Sequence, residues 1–332
     1  MTSTVAVSSS LQETPLKSAI PFVIAAFATV AHAAETYPAK PVTLVVAYAA
    51  GGMTDILARR VAADLQAQTG QPFVVDNKPG ATGQLATDYV ARRPADGYTI
   101  LVGATSHVIN PALKKSLPYD ARRAFDPVAL LAISPNFVLV NAGLNLKTFA
   151  DLKTYARTHP SIPYGTAGIG GAPHVIGELL RVQSGLPLVH VAYKGAGPAM
   201  GDLVSGQVPF GVAESVTANA YLKSGKIVPL AVASARRSEL YPAVPTLNEL
   251  GYKGFDLTTW VGVYAPAGTP PQVLATLNQG FRKAIASQAT SEYIRSTGSE
   301  PGNMDLPTYK AFVQSEMDKW KAVIQQAGVK DE

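Results

Sequence analysis

The stretch VTLVVAYAAGGMTDILARRVAADL, Val42 to Leu65, decides how the rest of the chain is read. It spells a buried strand, a tight Gly51-Gly52 turn and an amphipathic helix with Ile56, Leu57, Val61 and Leu65 at helical spacing. A strand that runs straight into a helix leaves the first helical N–H groups without partners. Those groups form the positive end of the helix dipole and favour an anion. Two glycines there let a ligand approach the backbone without meeting a Cβ atom. The same glycines would serve equally well as a plain turn, so the choice falls to the rest of the chain.

Further along, the pattern repeats. Phe73–Val75 and Tyr98–Val102 read as strands around a helix from about Gly83 to Arg93, giving βαβαβ, the signature of a parallel sheet covered by helices. Gly103-Ala104-Thr105-Ser106-His107 follows a strand's carboxyl end, where open α/β sheets bind ligands. Two strands are expected near Val128–Ile133 and Phe137–Val140. The alternation then restarts: Ile162–Thr166 runs into Ala167–Pro173, which opens a helix from His174 to Ser184. Leu188–Ala192 leads through Lys194-Gly195-Ala196-Gly197 into another. Strands follow at Val208–Ala213, with Glu214 just after, at Val228–Ala233 and at Trp260–Tyr264. Helices at 272–287, 292–297 and 306–327 lack strands of their own, so they are expected to return to the first sheet. The fold class is therefore α/β with two lobes, the second inserted in the first: 37–135 plus 260–332, and 136–259.

Composition narrows the function. The chain has 332 residues, 47% of them hydrophobic, which suits a globular protein of roughly two domains at about 150 residues each. Only 15% are charged, the net charge is +5, and the paired basic residues are scattered, so no nucleic-acid surface is expected. Cysteine is absent, which excludes disulfides, thiolate nucleophiles and Cys-ligated metals. At the N-terminus Lys17 precedes the apolar run Ala19–Val30, and Ala31-His32-Ala33 fits a secretory cleavage site. Residues 1–33 are thus read as a signal peptide cut after Ala33, and the mature protein as exported to the periplasm. The run is short for a bilayer span.

Catalytic signatures are missing. The sequence has no G-x-x-x-x-G-K-[ST], no G-x-G-x-x-G opening a helix, no G-x-S-x-G and no H-E-x-x-H. No catalytic residues, cofactor or metal are assigned. His190 is read as structural within a strand and His159 as surface, whereas His107 and His174 follow strand ends and are candidates to face a pocket. Repeated strand–glycine–helix loops favour binding over catalysis, because backbone N–H groups hold a carboxylate and also release it.

Several motifs resemble the Bug (TctC-like) family of periplasmic solute-binding proteins that serve tripartite tricarboxylate transporters: GGMTDILAR (Gly51–Arg59), VVDNKPGATG (Val74–Gly83), PADGYTILVG (Pro94–Gly103), INPAL (Ile109–Leu113), YGTAG (Tyr164–Gly168), VAYKG (Val191–Gly195) and WVGVYAPAGTP (Trp260–Pro270). The resemblance covers nearly the whole mature chain. It implies a Venus-flytrap protein that closes on a small carboxylate, held by the strand-1/helix-1 loop and a loop of the second lobe. Carried over, the first loop is Tyr48 to Thr54, and the second-lobe candidates are Thr166, Ala167 and Gly168 with Lys194 and Gly195 nearby. The family's first loop reads P-x-P-P-G-G, whereas this chain has Ala47, Tyr48, Ala49 and Ala50 before its glycines. Losing the prolines leaves the loop less rigid before binding.

The expected ligand-binding set is Tyr48, Gly51, Gly52, Thr54, Ser106, His107, Thr166, Ala167, Gly168, His174, Lys194, Gly195 and Trp260. Asp55 is read as a helix-start residue, since its carboxylate would repel an anion. Tyr48 and Trp260 together would favour an aromatic acid, and Glu214 would accept from a ligand hydroxyl or amine or tie down a loop. The expected partners are a small carboxylate (a di- or aromatic acid) and membrane transporter subunits, with the receptor a monomer. A sensor for a membrane signalling protein uses the same clamp and stays open, as does a periplasmic hydrolase.

Overall fold

The computed structural model describes residues 1–10 and 37–330. The apolar run Ala19–Val30 of the expected signal peptide and the expected cleavage site after Ala33 lie outside the described residues. The contacts group the chain from Thr36 onward into one unit. Its first half runs β1 (Val42–Val46), α1 (Met53–Thr69), β2 (Phe73–Asn77), α2 (Gln84–Ala91), β3 (Thr99–Ala104), α3 (Ser106–Leu113) and β4 (Phe125–Asn141). Next come α4 (Phe149–Ala156), β5 (Ile162–Thr166), α5 (Ala172–Ser184), β6 (Leu188–Ala192), α6 (Ala196–Ser205), β7 (Phe210–Glu214), α7 (Ser215–Lys223) and β8 (Ile227–Val232). The chain ends with β9 (Thr258–Pro266), α8 (Pro271–Ala286), α9 (Gln288–Ser296), β10 (Glu300–Pro301) and α10 (Leu306–Ala327).

The strand order β2-β1-β3-β9-β4-β7-β5-β6 contains the same device twice. β1 lies between β2 and β3, all parallel, and β5 lies between β6 and β7, all parallel. The helices α1 and α5 therefore start at the carboxyl ends of strands where the winding reverses, the place where such sheets leave a crevice. Antiparallel β9 and β4 join the two triplets. β4 is one strand where the sequence suggested two. Ser134-Pro135-Asn136 looks like a break, but there the strand only changes partners: Pro135 closes the ladder to β9 and Asn136 opens the ladder to β7. A proline fits such an end because it has no N–H to donate.

Local sequence explains the helices that shape the crevice. In α1 the residues Leu57, Ala58, Val61, Ala62 and Leu65 share one buried face, and Gly70 in the left-handed conformation ends the helix. That face packs with Leu44 and Val46 of β1 in one apolar cluster. α3 was not foreseen, because Pro111 sits inside it; buried Val108, Ile109 and Leu113 hold it in place. The C-terminal helices divide their contacts. α8 packs on α1 and β4, whereas α10 lies against α3, α5 and β4. Asp305 caps α10 by accepting from the Thr308 N–H, and Gly328 ends it. No helix among the described residues is long and apolar enough to cross a membrane.

Candidate ligand cleft

The loops that leave β1, β3, β5, β6 and β7 surround a cavity of about 1120 Å³. On its first wall, Val46 runs into Tyr48, Ala49 and Ala50, and Gly51 takes φ +86°. Gly52 is the N-cap of α1 and offers no side chain as a cap. Its carbonyl accepts from Ile56 N, so the N–H groups of Met53, Thr54 and Asp55 have no partner inside the helix.

This loop is tied from behind. Asp55 turns back and accepts from the Gly51 N–H at 2.9 Å, from Asn77 Nδ2 at 2.9 Å and from Arg59 Nε at 3.0 Å. Asn77 Nδ2 also donates to the Tyr48 carbonyl, and Arg59 Nη2 to Asn77 Oδ1, each at 3.0 Å. Burial alone would raise the Asp55 carboxyl. The hydrogen bonds from Arg59, Gly51 and Asn77 outweigh it and hold the group below its ordinary value. Asp55 does not line the cavity, and its carboxylate occupies the Gly51 N–H. Tyr48 hydrogen-bonds Ser106, and burial pushes its phenol up to about 12.

The second wall consists of the β5–α5 and β6–α6 loops, zipped together by Tyr193 N to Thr166 O at 3.0 Å and Gly195 N to Ala167 O at 3.1 Å. Thr166 Oγ1 lies 2.7 Å from His190 Nε2 and donates to the Gly168 carbonyl at 3.1 Å in its other orientation. His174 stacks on His190 at 4.0 Å, and its Nδ1 accepts from the Gly170 N–H at 3.2 Å. Burial pushes the His190 imidazole down to about 4, with His174 adding to the shift. Gly171 and Gly195, the N-caps of α5 and α6, also lack side-chain caps. Three glycine-capped helix starts therefore face one cavity.

Ten of the thirteen residues expected at the site line this cavity: Tyr48, Gly51, Gly52, Thr54, Ser106, Thr166, Ala167, Gly168, Lys194 and Gly195. The other three do not. His107 is buried behind it, stacked on Tyr264 at 4.1 Å, and burial alone lowers its imidazole to about 4. His174 supports the β5–α5 loop from below. Trp260 is fully buried and donates from Nε1 to Glu316 Oε2 at 2.9 Å, so the paired-aromatic argument for an aromatic acid lapses. Thr259 and Val261 line the cleft instead. Strand alternation carries that signal: neighbours of an inward tryptophan face the other way. Thr82, Thr217, Tyr293 and Thr297 also line it and had no local signal in the sequence.

A family model described as the tripartite tricarboxylate transporter family receptor, TctC, matches residues 57–329. The chain belongs to the TctC family. Among solved structures, an R. palustris protein with adipate is 35% identical and aligns with a TM-score of 0.82 over 89% of this chain and 99% of its own. The periplasmic binding protein BugD is 33% identical, with a TM-score of 0.80 over 89% and 100%. MatC from Rhodopseudomonas palustris with bound malate is 31% identical, with a TM-score of 0.78 over 87% and 100%. The TctC fold of this chain is thus the two-lobed α/β fold of periplasmic binding proteins.

Proposed function

We propose that this TctC-family protein captures a small carboxylate in the cleft and passes it to the membrane subunits of a tripartite tricarboxylate transporter. One observation carries the reading: three helix starts that have glycine N-caps and no side-chain cap border one cavity, and such starts favour an anion. Adipate and malate in the related structures support the same ligand class. The ligand-holding set is then the ten lining residues, with the Gly52–Thr54 backbone on one wall and Thr166–Gly168 and Lys194–Gly195 on the other. The lobes are 37–135 with 260–332, and 136–259, hinged where β4 changes partners, and closure is stabilised by ligand contacts from both. The protein works as a monomer in the periplasm after its leader is cut at Ala33, and it catalyses no reaction. A thermal-shift panel of carboxylates tests the proposal, since a ligand well above its dissociation constant raises Tm. Shifts with sugars alone, or with amines lacking a carboxylate, would refute it. Turnover of esters or amides would point to a hydrolase instead.

A further inference from the structure

Between β2 and α2 the backbone passes through four consecutive residues with positive φ: Gly80 at +137°, Ala81 at +47°, Thr82 at +52° and Gly83 at +86°. Ala81 and Thr82 carry a Cβ atom that makes such angles costly, and Thr82 is β-branched as well. Residues held in this way need neighbours that fix them, and they concentrate at clamps and switches. The fixing groups belong to the first wall. Asn110 Nδ2 of α3 donates to the Thr82 carbonyl at 3.1 Å, and the Gly83 N–H closes a turn onto the Gly80 carbonyl at 3.0 Å. Held so, Thr82 reaches across to the second wall. Its Oγ1 donates to the Ile169 carbonyl at 3.4 Å, at an exposed edge of the cavity that both residues line. One residue further on, Gly170 comes so close to α3 that a built Cβ atom would lie 2.7 Å from Leu113 Cδ2. Helix α3 therefore backs both sides of this crossing, with Asn110 under Thr82 and Leu113 against Gly170. Strands β4 and β9 join the two walls through the sheet, and residues 80–83 join them a second time through loops.

We propose that residues 80–83 form a strap that latches the cleft shut: the strained backbone at Ala81 and Thr82 is kept because it aims the Thr82 hydroxyl at the Ile169 carbonyl of the facing wall. The inference rests on the reading that the two walls move against each other, and it holds whichever carboxylate binds. The strain is set within the first wall, so it is the same in the open and the closed cleft and favours neither. The bond to Ile169 exists only when the walls meet, so it favours the closed cleft. That bond is long and faces solvent, and its effect is correspondingly small. A small effect suits a latch that must also let go.

The test uses a pair of spin labels, which is simple because the chain has no cysteine of its own. Val74→Cys on β2 and Val189→Cys on β6 put the labels on the two strands that end the sheet order, at exposed positions outside the cavity lining. Label separations in the full chain are measured by pulsed electron spin resonance, without added ligand and with excess adipate or malate. Two populations are expected, one of them at the separation of this structure, in which Thr82 meets Ile169. Thr82→Ala should lower that population relative to the other by about threefold, and Thr82→Ser, which keeps the hydroxyl, should leave the ratio near that of the parent. Thr82→Gly should lower the ratio as Thr82→Ala does and yet melt about 2 °C or more above it, because glycine relieves the strain. A ratio unchanged in Thr82→Ala, or lowered equally in Thr82→Ser, overturns the latch and leaves a moving cleft. Thr82→Gly melting no higher than Thr82→Ala removes the strain and overturns the strap. One fixed separation in every condition removes the motion, and this inference with it. Populations that neither adipate nor malate shifts count against the carboxylate reading, while the ratio without ligand still decides the latch.

Discussion

The two walls of the cleft present the same device and hold it in opposite ways. The first wall is fixed by charge: Asp55, Arg59 and Asn77 grip the loop from Tyr48 to Gly51 through side chains. The second is fixed by neutral groups, with loop-to-loop backbone bonds and a stacked histidine pair under Thr166 and Gly170. The difference bears on Ala47, Ala49 and Ala50, where the resemblance to the family led us to expect prolines. A proline stiffens a loop by restricting the unfolded chain, whereas a buried carboxylate stiffens it by satisfying donors in the folded one. Here the carboxylate of Asp55 takes that part. The loop is consequently held by side chains behind it, with Asp55 on the Gly51 N–H and Asn77 on the Tyr48 carbonyl.

Removing that side chain is the largest way to break the comparison. Asp55→Ala leaves the Gly51 N–H and Asn77 Nδ2 without their acceptor and Arg59 without its counter-ion. We expect a loss of about 3 kcal/mol in denaturant unfolding, together with weaker carboxylate binding. Stability that stays within about 0.5 kcal/mol of the wild type would show that the charge network does not hold the first wall.

Acid should loosen the two walls at different pH. The His190 imidazole titrates near 4 in the folded protein against 6.5 when unfolded. Between those values the unfolded chain binds more protons, so stability is full above 6.5 and falls as pH drops toward 4. After allowance for solvent screening, the His190 contribution is about 2 kcal/mol. The Asp55 carboxyl is depressed, so its contribution is present above 3.8 and lost only as pH falls through its lower folded value. His107 titrates in the same window as His190, so the informative quantity is the difference between wild type and His190→Gln. Melting curves from pH 7 to 3 should show the variant losing less stability between 6.5 and 4 and following the wild type below. Identical slopes in the upper window would remove His190 from the account.

How much of this could be read beforehand depended on whether the signal was local. The strand–glycine–helix loops were legible because turn, cap and apolar face fall within one stretch, as in Val42–Leu65 or Tyr164–Ser184. Residues within those loops, such as Thr54 and Gly168, accordingly line the cavity. The direction of a side chain beside a loop was not legible. His107 and His174 follow strand ends as a pocket residue would, yet their rings turn into tertiary contacts with Tyr264 and His190. Trp260 turned on a single step of strand alternation, and Glu316, which fixes its indole, lies 56 residues away in α10. The β4 partner switch at Pro135–Asn136 was hidden for a similar reason, since pairing partners leave no trace in the strand itself.

The finest test separates the two glycines with which the first wall begins. Gly51 has φ +86° and open space around a built Cβ atom, so its need is conformational. Gly51→Ala should cost about 1 kcal/mol of stability through strain in the left-handed region, with its N–H still bonded to Asp55. Gly52 is different: its φ of −80° suits any residue, and a built Cβ meets only the Ala49 carbonyl at 3.7 Å, an ordinary contact. Nothing in the fold therefore requires glycine at that position. What it provides is access to the N–H groups of Met53 and Thr54, which a branched side chain would cover. Gly52→Val should melt close to the wild type and bind its carboxylate about tenfold more weakly, near 1.4 kcal/mol. The outcomes are crossed, one glycine acting on stability and the other on affinity. Should Gly52→Val bind normally, the ligand does not sit on the α1 start, and the second wall must hold its carboxylate alone.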